Sequence, residues 1–504
     1  MWQIIVAGLG SNEPNEDHVL YDFSTLLLGN IPQRLLTDVD QVKSIDVLPD
    51  DVLLEIFDFC GEAPFSKKEI EAWQILVHVC RRWRSVVFRS PHRLDLQLVC
   101  TAKTPARDTL DVWPALPIFI RCHGDHPIES VDNIVAVLER SNRVCLIELL
   151  DISSIQLERV SAAMQEPFPV LANLNIRSQD EMAPVVPDSL LGGSAPCLEL
   201  LQLHGIPFPG LPRLLLSATH LINLRLENIP HSGYFSPEAM VTALSALISL
   251  GSLKLEFQSP QSHPAWVHRR PPPIRFVLPV LTLLTFKGVT EYLDDLVARI
   301  DAPQLDTLYI TLFNQIFFDT PHLIQFVSRT PKLKAFEEAH LTFGDDANIS
   351  LSSPTSEYRG SLSVKIPCRE LDWQVSSLEQ VCNSCLPRLA ALDGLYIGEA
   401  LYSYPVWQDN IDDTLWLDLL RPFAAVKKLY LTEEFARRIA PALGELVGGG
   451  TTNVLPTLEN LFLEGFEPSG PDQEGIGKFV AARQVSDRPI AISSWSPGPQ
   501  DDDD

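Results

Sequence analysis

The order of apolar and polar residues predicts a pair of amphipathic helices near the start of the chain. Between Leu48 and Phe57 apolar side chains recur every three or four residues, which is the spacing of one helix face. Pro49 suits a first helical turn, and Asp50 and Asp51 follow where the helix dipole favours acids. A second segment places apolar residues on one predicted stripe: Leu76, Val79, Cys80, Trp83 and Val87. So small a unit cannot bury this much apolar surface, and part of it is expected to face a partner.

The pattern changes after Ser90-Pro91, because the residue before a proline leaves the helical region. Alternating apolar residues from Leu94 to Leu98 and from Leu116 to Ile120 predict two half-buried strands. Residues 128–140 return to helical spacing.

The rest of the chain repeats one short unit, Pro-x-Leu-x-x-Leu-x-Leu, in which the last position is also Ile or Phe. Units with the proline begin at Pro169, Pro196, Pro279, Pro303 and Pro456. Units without it begin at Leu221, Leu250 and Val426, and degenerate units at Leu333 and Leu389. Most units start roughly 23 to 37 residues apart, which is a period typical of solenoids. The last two apolar positions predict a short strand with one buried face.

Predicted helices return the chain after several of these strands. Ser236-Pro237-Glu238 has the order of an N-cap, a first-turn proline and a first-turn acid. Further helices are predicted around residues 293–300, 323–327 and 435–447. The fold class is therefore α/β, with parallel short strands and returning helices. A doubly wound sheet is the alternative, since it also places strands before helices.

Two inserts and the chain ends interrupt this pattern. Residues 258–275 carry three consecutive prolines and predict a protruding loop, and residues 344–367 predict an extra hairpin. Residues 476–483 predict a helix that caps the last repeat. Residues 1–44 have no clear period and are expected to form a poorly ordered arm.

Composition narrows the classes of function. The 504 residues carry a formal net charge of -26, so phosphate backbones are repelled and nucleic-acid binding is not expected. No apolar run is long enough to predict a membrane span. The nine cysteines have no disulfide-framework spacing and no secretory signal precedes them, which predicts a reducing compartment, the cytoplasm or the nucleus.

Motifs for catalysis are missing. The chain has no phosphate-binding loop, no nucleophile elbow and no H-E-x-x-H zinc motif. Cys382-x-x-Cys385 has redox or zinc spacing, but it lies on a predicted helix without a second pair, which favours two structural cysteines. We expect no enzyme activity, no cofactor and no metal; an enzyme with an unrecognised site is the remaining alternative.

The two helical segments resemble the F-box. The resemblance lies in L-P-x-x-[LIV]-L-x-x-[IF]-F from Leu48 to Phe57 and in V-C-R-x-W from Val79 to Trp83. It implies docking on the Skp-type adaptor of a cullin–RING ubiquitin ligase, a helix-in-groove mode of recognition. The residues expected in the adaptor contact are Leu48, Pro49, Leu53, Ile56, Phe57, Val79 and Trp83. For Val79 and Trp83 a place in the core of the hairpin is an equal alternative.

The whole chain is similar to an expanded set of fungal F-box proteins with divergent leucine-rich-like repeats. Four segments carry this similarity: Cys80–Val86, Leu110–Pro114, Asp301–Asp306 and Cys368–Trp373. The Asn that many leucine-rich repeats carry is irregular here, although Asn228 follows Leu226. An irregular leucine-rich-repeat-like solenoid is therefore expected.

The resulting expectation is a substrate receptor of an SCF-type ubiquitin ligase. Four segments are expected: the arm (1–44), the F-box-like module (45–90), the solenoid (91–467) and a cap helix with an acidic tail (468–504). The adaptor, and through it cullin, bind the module, and a protein target binds the repeats. Candidate target contacts are the outward positions Gln202, Arg225, Lys254 and Asp306. A repeat scaffold that uses the F-box without ubiquitination is the alternative.

Overall fold

The computed structural model describes residues 48–62, 72–91, 93–94, 96–102, 105–106, 110–111, 113, 115–123, 131–260, 275–313, 318, 320–334, 336–353, 360–384, 386, 389–400, 403–408, 411–445, 454–465 and 474–496. The predicted arm (1–44) and most of the predicted loop at 258–275 lie outside these residues. The chain divides into two compact units, Met1–Leu96 and Gln97–Asp504, which are described one after the other.

Three helices make up the described part of the first unit: α1 (Asp50–Glu62), α2 (Ala72–Val79) and α3 (Arg81–Arg89). Helix α1 begins after Pro49, whose carbonyl accepts the Leu53 N–H at 3.1 Å. The three helices bury a shared set of apolar side chains: Leu53, Leu54, Phe57, Trp73, Leu76, Val77, Trp83, Val86 and Val87. Each buried leucine contributes roughly 1.5–3 kcal/mol to folding, so this interior stabilises the unit.

The second predicted stripe is broken at Cys80. This residue is extended, with φ -154° and ψ 170°, and its sulfur accepts the Trp83 N–H at 3.4 Å as the N-cap of α3. Two short helices therefore replace the single helix that the apolar spacing predicted. Val79 ends α2 and does not share a stripe with Trp83, which corrects the prediction. The predicted end of the helix before Pro91 is confirmed, since α3 ends at Arg89.

Among its described residues the second unit contains ten α-helices and eighteen strands. The helices are α4 (Val131–Leu138), α5 (Ser154–Ala163), α6 (Leu211–Leu215), α7 (Pro237–Leu244), α8 (Thr290–Ala298), α9 (Pro321–Arg329), α10 (Leu371–Ser384), α11 (Asp413–Leu420), α12 (Glu433–Glu445) and α13 (Glu474–Val485). The strands are β1 (Leu98–Thr101), β2 (Ile118–His123), β3 (Val144–Ile152), β4 (Asn173–Ser178), β5 (Leu200–His204), β6 (Asn223–Ile229), β7 (Ser252–Phe257), β8 (Phe276–Val277), β9 (Leu283–Gly288), β10 (Ile300–Asp301), β11 (Thr307–Leu312), β12 (Glu338–Phe343), β13 (Asp346–Ser352), β14 (Ser361–Pro367), β15 (Gly394–Glu399), β16 (Lys428–Leu431), β17 (Asn460–Glu464) and β18 (Ala491–Trp495).

Sixteen of these strands form one sheet, in the order β1-β2-β3-β4-β5-β6-β7-β9-β11-β14-β13-β12-β15-β16-β17-β18. Neighbours pair in parallel except where β13 pairs with β12 and β14. The short strands β8 and β10 pair separately, so Ile300 lies in a strand and not in the helix predicted at 293–300. The coarse prediction of an α/β fold with parallel strands is confirmed.

The repeated leucines occupy equivalent positions on neighbouring strands. The first strand leucine of each unit is aligned in one buried row: Leu174, Leu201, Leu224, Leu253, Leu284 and Leu308. The side chains between the buried positions are partly or fully exposed along these strands. A doubly wound sheet is buried on both faces, so this alternation argues against that alternative. We call the strand side chains that alternate with the core positions the outward face.

The insert at 344–367 forms an antiparallel pair, as predicted, but the pair is part of the sheet. Strand β14 lies beside β11, and β12 lies beside β15. Leu362 and Val364 of β14 thereby align with Leu308 and Ile310 of β11. Strand β12, which follows the degenerate unit at Leu333, pairs with β13 and β15 and not with β11. Strand β14 of the insert therefore occupies the position beside β11.

The sheet continues beyond the predicted boundary at residue 467. Helix α13 is followed by β18, which pairs in parallel with β17. The Trp495 indole N–H donates to the Leu431 carbonyl at 3.2 Å. Helix α13 packs closely on α12, because a Cβ at Gly475 would lie only 2.2 Å from the Ala440 carbonyl oxygen. The C-terminal segment therefore adds a strand to the sheet besides the predicted helix.

One sequence-predicted boundary at the start of the sheet is also corrected. Strand β1 begins at Leu98, so Leu94 and Leu96 precede it. The predicted helix at 128–140 is present as α4, and the predicted Ser236 N-cap is confirmed by its side chain accepting the Ala239 N–H.

Candidate protein-interaction surfaces

Three of the seven predicted adaptor contacts lie in the interior of the first unit. Leu53 is 0% exposed, and the rings of Phe57 and Trp83 pack with centroids 4.8 Å apart. Aromatic pairs of this kind add roughly 0.5–1.5 kcal/mol beyond the area that they bury. These side chains hold the helices together, and the structure gives them no surface for direct contact. The structure places Trp83 in the core of the first unit, which was one of its two predicted roles.

The exposed apolar residues of α1 follow a different stripe. Pro49 is exposed, Val52 is 42% exposed and Ile56 is partly exposed. Residues separated by three and four positions lie on one side of a helix, so these three share a side of α1. Leu48, just before the helix, is also partly exposed. We call Pro49, Val52 and Ile56 the α1 stripe.

Val52 was missed as a contact because periodicity does not decide which of two adjacent apolar residues faces inward. Val52 and Leu53 are neighbours, and both fit an apolar face of the predicted helix. The structure turns Leu53 inward and Val52 outward. Val79 is 54% exposed at the end of α2, so of its two predicted roles the core is excluded.

Arg82 and Arg84, two of the three arginines between residues 81 and 84, hold the helices of the first unit together. The Arg82 guanidinium donates to the Asp50 carboxylate at 2.7 Å, which ties α3 to the start of α1. Arg84 donates to the Val77 carbonyl at 2.9 Å. The side chains of Arg82 and Arg84 therefore brace the helix ends. The exposed α1 stripe is thus carried on a fixed scaffold.

The outward face of the second unit places side chains from distant parts of the chain in one row. This central row contains Gln202, Arg225, Lys254, Thr285, Tyr309, Ser363, Ser350, His340, Tyr396, Tyr430 and Phe462. Three of the four predicted target contacts, Gln202, Arg225 and Lys254, are neighbours in it. Asp306 is not in the row, because it precedes β11 and binds Lys332 at 3.1 Å.

One half of the central row is polar and charged. The Lys254 ammonium lies 3.2 Å from Glu227 and 3.4 Å from Glu256. Burial opposes the charged form of Glu227, but Lys254 and His204 outweigh it, so the pKa of Glu227 is lowered. Glu227 therefore stays ionised and holds Lys254 in place. We call the outward face of β5, β6, β7, β9, β11 and β14 the basic half.

The other half of the row is an aromatic ladder, formed by His340, Tyr396, Tyr430 and Phe462. Successive ring centroids lie 4.3, 4.0 and 4.4 Å apart, with interplanar angles of 2°, 3° and 8°. Trp495 packs edge-on against Tyr396 and Tyr430 at 5.8 and 5.5 Å. Because the rings cover each other's faces, this half mainly exposes ring edges and hydroxyl groups.

Burial shifts the titration of the ladder. It lowers the pKa of His340, so the neutral imidazole is favoured in the stack. It raises the pKa of the Glu338 carboxyl, which lies 3.9 Å from His340. It also raises the pKa of Tyr396, assisted by the neighbouring Tyr430. These pKa shifts favour the neutral forms of His340, Glu338 and Tyr396 in the packed ladder.

A polar cavity of about 240 Å³ opens at the carboxyl ends of β3 to β7. Arg177 and Asp151 pair across its wall at 3.0 Å. Asp180 accepts the Ser154 N–H at the start of α5, and hydrogen bonds from Ser154 lower the pKa of Asp180. Three of its lining side chains, Asp151, Arg177 and Asp180, are therefore paired.

Positive backbone angles shape the rim of this cavity. Asp151 and Asn228 adopt φ 56° and 54°, a conformation that Asp and Asn tolerate better than most residues. Both sit where the strand register shifts. Asn228 is the residue that the sequence marked as the single repeat asparagine, and its role here is to turn the strand.

The described residues contain no group of three or more His, Cys, Asp or Glu side chains arranged to hold a metal ion. Cys382 is buried on α10, and the side chain of Cys385 lies outside the described residues. Across the described ranges, no helix combines the length and apolar character needed to cross a membrane. The chain matches no protein-family model, and no curated protein matches it.

Proposed function

We propose that this chain is the substrate receptor of an SCF-type cullin–RING ubiquitin ligase. The observation that carries the proposal is the α1 stripe within the F-box-like motif. Pro49, Val52 and Ile56 leave apolar surface exposed on a helix whose other side is packed. Exposed apolar residues at helical spacing suit a helix-in-groove contact with a Skp-type adaptor. Leu48 and Val79 complete the proposed contact.

The second unit is proposed to be an irregular leucine-rich-repeat-like solenoid that binds the target. Aligned leucines on successive parallel strands and the packing of successive helices α6 to α9 and α10 to α13 support this architecture. The meander of β12, β13 and β14 is the main irregularity. The outward face then offers a continuous surface built from many repeats.

No catalytic group is required of such a receptor. It accelerates ubiquitin transfer by holding the target near a charged carrier, which is catalysis by proximity. The proposed partners are the adaptor, cullin through the adaptor, and one or more protein targets, with no cofactor. The proposed compartment is the cytoplasm or the nucleus.

The test is co-expression with a Skp-type adaptor, followed by size exclusion. The variant Val52→Asp/Val79→Asp places charge on two side chains that are 42% and 54% exposed, so folding is preserved. We expect a stoichiometric complex for the wild type and its loss in the variant. The matched control is Ile248→Asp, which changes a 64% exposed residue of the second unit and should leave the complex intact.

Three results would count against the proposal. A wild-type chain that elutes without adaptor would show that the F-box resemblance has no binding function. A complex that survives Val52→Asp/Val79→Asp would place the contact elsewhere. If adaptor binds but cullin is never recovered with it, the scaffold alternative replaces the ligase.

A further inference from the structure

The basic half differs in charge from the protein as a whole. Its strands carry four basic residues, Arg225, Lys254, Lys287 and Lys365, and two acidic ones, Glu227 and Glu256. The chain has a formal net charge of -26. A locally cationic surface on so acidic a protein is unlike the rest of its composition, and it favours anionic partners over cationic ones.

Internal ion pairs account for only part of this charge. Lys254 binds both glutamates, and Lys365 binds Asp346 of β13 at 3.1 Å. Among the described residues, Arg225 and Lys287 have no ion pair or hydrogen-bonded partner on their side chains. Glu256 is the register neighbour of Lys287, but it is paired with Lys254 instead.

Arg225 and Lys287 lie close enough to bind one ligand together. Arg225 is on β6 and Lys287 on β9, with β7 between them, so two strand spacings of about 4.8 Å separate them across the sheet. Lys287 also lies two residues further along its strand than Thr285, the residue of β9 in the row of Arg225. Tyr309 on β11 follows in the central row and is 45% exposed. The first outward row beside them is uncharged: Leu200, Asn223, Ser252, Leu283, Thr307 and Ser361.

We propose that the basic half binds an extended acidic segment of a target protein. Arg225 and Lys287 receive carboxylates that lie four residues apart in the segment, since an extended chain spans about 3.3 Å per residue and every second side chain points to the same side. The guanidinium of Arg225 donates two hydrogen bonds to one carboxylate, and Tyr309 packs against the segment beyond Lys287. This inference rests on the proposed function, because it names the target that the receptor would recruit.

The overall negative charge does not prevent this binding. At physiological ionic strength the Debye length is about 8 Å, so an acidic segment responds mainly to the charges that it touches. The two glutamates nearest to the site share the single charge of Lys254, and Arg225 and Lys287 bring the local balance to three cations against two glutamates. Binding should therefore weaken as salt is added, because exposed ion pairs are screened.

The test is fluorescence anisotropy with the full-length chain and a labelled peptide of alternating glutamate and serine. A peptide of alternating glutamine and serine is the neutral control. We expect the acidic peptide to bind and Arg225→Gln/Lys287→Gln to weaken it about tenfold, because two charge-assisted contacts are lost. The matched variant Arg213→Gln/Lys334→Gln removes equal charge from exposed positions off the outward face and should bind like the wild type.

The inference is overturned if the acidic and neutral peptides bind equally, if neither binds, or if the two double variants lose binding equally. Adaptor co-elution is measured on the same preparations. Adaptor binding without peptide binding would remove the acidic-segment inference and leave the proposed function standing. Peptide binding without adaptor binding would do the reverse.

Discussion

On β6 and β7 the central row sets Arg225 beside Lys254, whereas on β15 and β16 the same row stacks Tyr396 on Tyr430 with centroids 4.0 Å apart. The backbone is equivalent in the two places, with parallel strands in the same register. In the ladder each ring finds its partner within the sheet. In the basic half, Arg225 and Lys287 have no such partner among the residues that the structure describes. Side chains satisfied by their neighbours stabilise the fold, and those left unpaired are available for a ligand.

The boundary between the two halves falls on the strands of the insert. Ser363 on β14 and Ser350 on β13 lie in the central row between Tyr309 and His340. Their small polar side chains neither stack nor carry charge. The meander thus spans the boundary between the aromatic ladder, whose rings stabilise the fold, and the basic half, whose unpaired cations are available for a ligand.

The largest effect is expected from Tyr430→Ala. The Tyr430 ring contacts Tyr396, Phe462 and Trp495, and its removal leaves all three with an uncovered face or edge. We expect a loss of about 2–4 kcal/mol in the free energy of unfolding, since truncation of a packed aromatic ring combines lost burial with lost ring contacts. Urea unfolding followed by circular dichroism measures it.

Tyr309→Ala is the matched control for that change. It removes the same side chain from the same row, but at a ring that is 45% exposed and has no stacking partner among the described residues. We expect a loss below about 0.5 kcal/mol, as for most surface changes. Equal losses at Tyr309 and Tyr430 would show that the ladder is not a special source of stability.

How far the sequence predicts this molecule depends on the range of the interaction. The leucine spacing of each unit predicted its strand and its buried side, because both follow from contacts along a few residues. Tyr396 and Tyr430 come together only when two strands pair in a given register. The sequence does not show that register, so neither the ladder nor the proximity of Arg225 and Lys287 was predicted.

Other differences have local causes. The helix break at Cys80 and the inward turn of Leu53 depend on how three short helices pack against one another. Apolar spacing alone is compatible with several such packings. The position of β14 beside β11 is likewise a matter of sheet order, which a predicted hairpin leaves open. The sequence therefore predicted the segment of the candidate adaptor contact, and the structure identified which of its side chains are exposed.

A smaller effect is expected from pH at His340. Burial lowers the pKa of His340 below the value of about 6.5 for an unfolded histidine. The unfolded chain therefore takes up a proton at a higher pH than the folded chain. The stability contribution is complete above pH 6.5 and is lost as pH falls from there through the folded pKa.

His340→Phe keeps a ring against Tyr396 and removes this titration. We expect the wild type to lose more unfolding free energy than the variant between about pH 7.5 and 5.5. Glu338, whose pKa is raised by burial, acts in the opposite direction, since its contribution is lost as pH rises through the folded pKa. It is present in both proteins, so their difference reports His340. Identical pH profiles would mean that His340 titrates normally.

The smallest effect on stability is expected from Arg225→Gln/Lys287→Gln, the variant with the largest expected effect on peptide binding. Arg225→Gln/Lys287→Gln breaks no ion pair among the described residues, so the unfolding free energy should change by less than about 0.5 kcal/mol. Lys254→Gln is the informative comparison, because it removes two ion pairs, leaving Glu256 unpaired among the described residues and Glu227 with His204 alone. It should cost more, about 1 kcal/mol. If the Arg225/Lys287 variant proved the less stable of the two, these cations would be serving the fold, and the basic half would lose its distinction from the ladder.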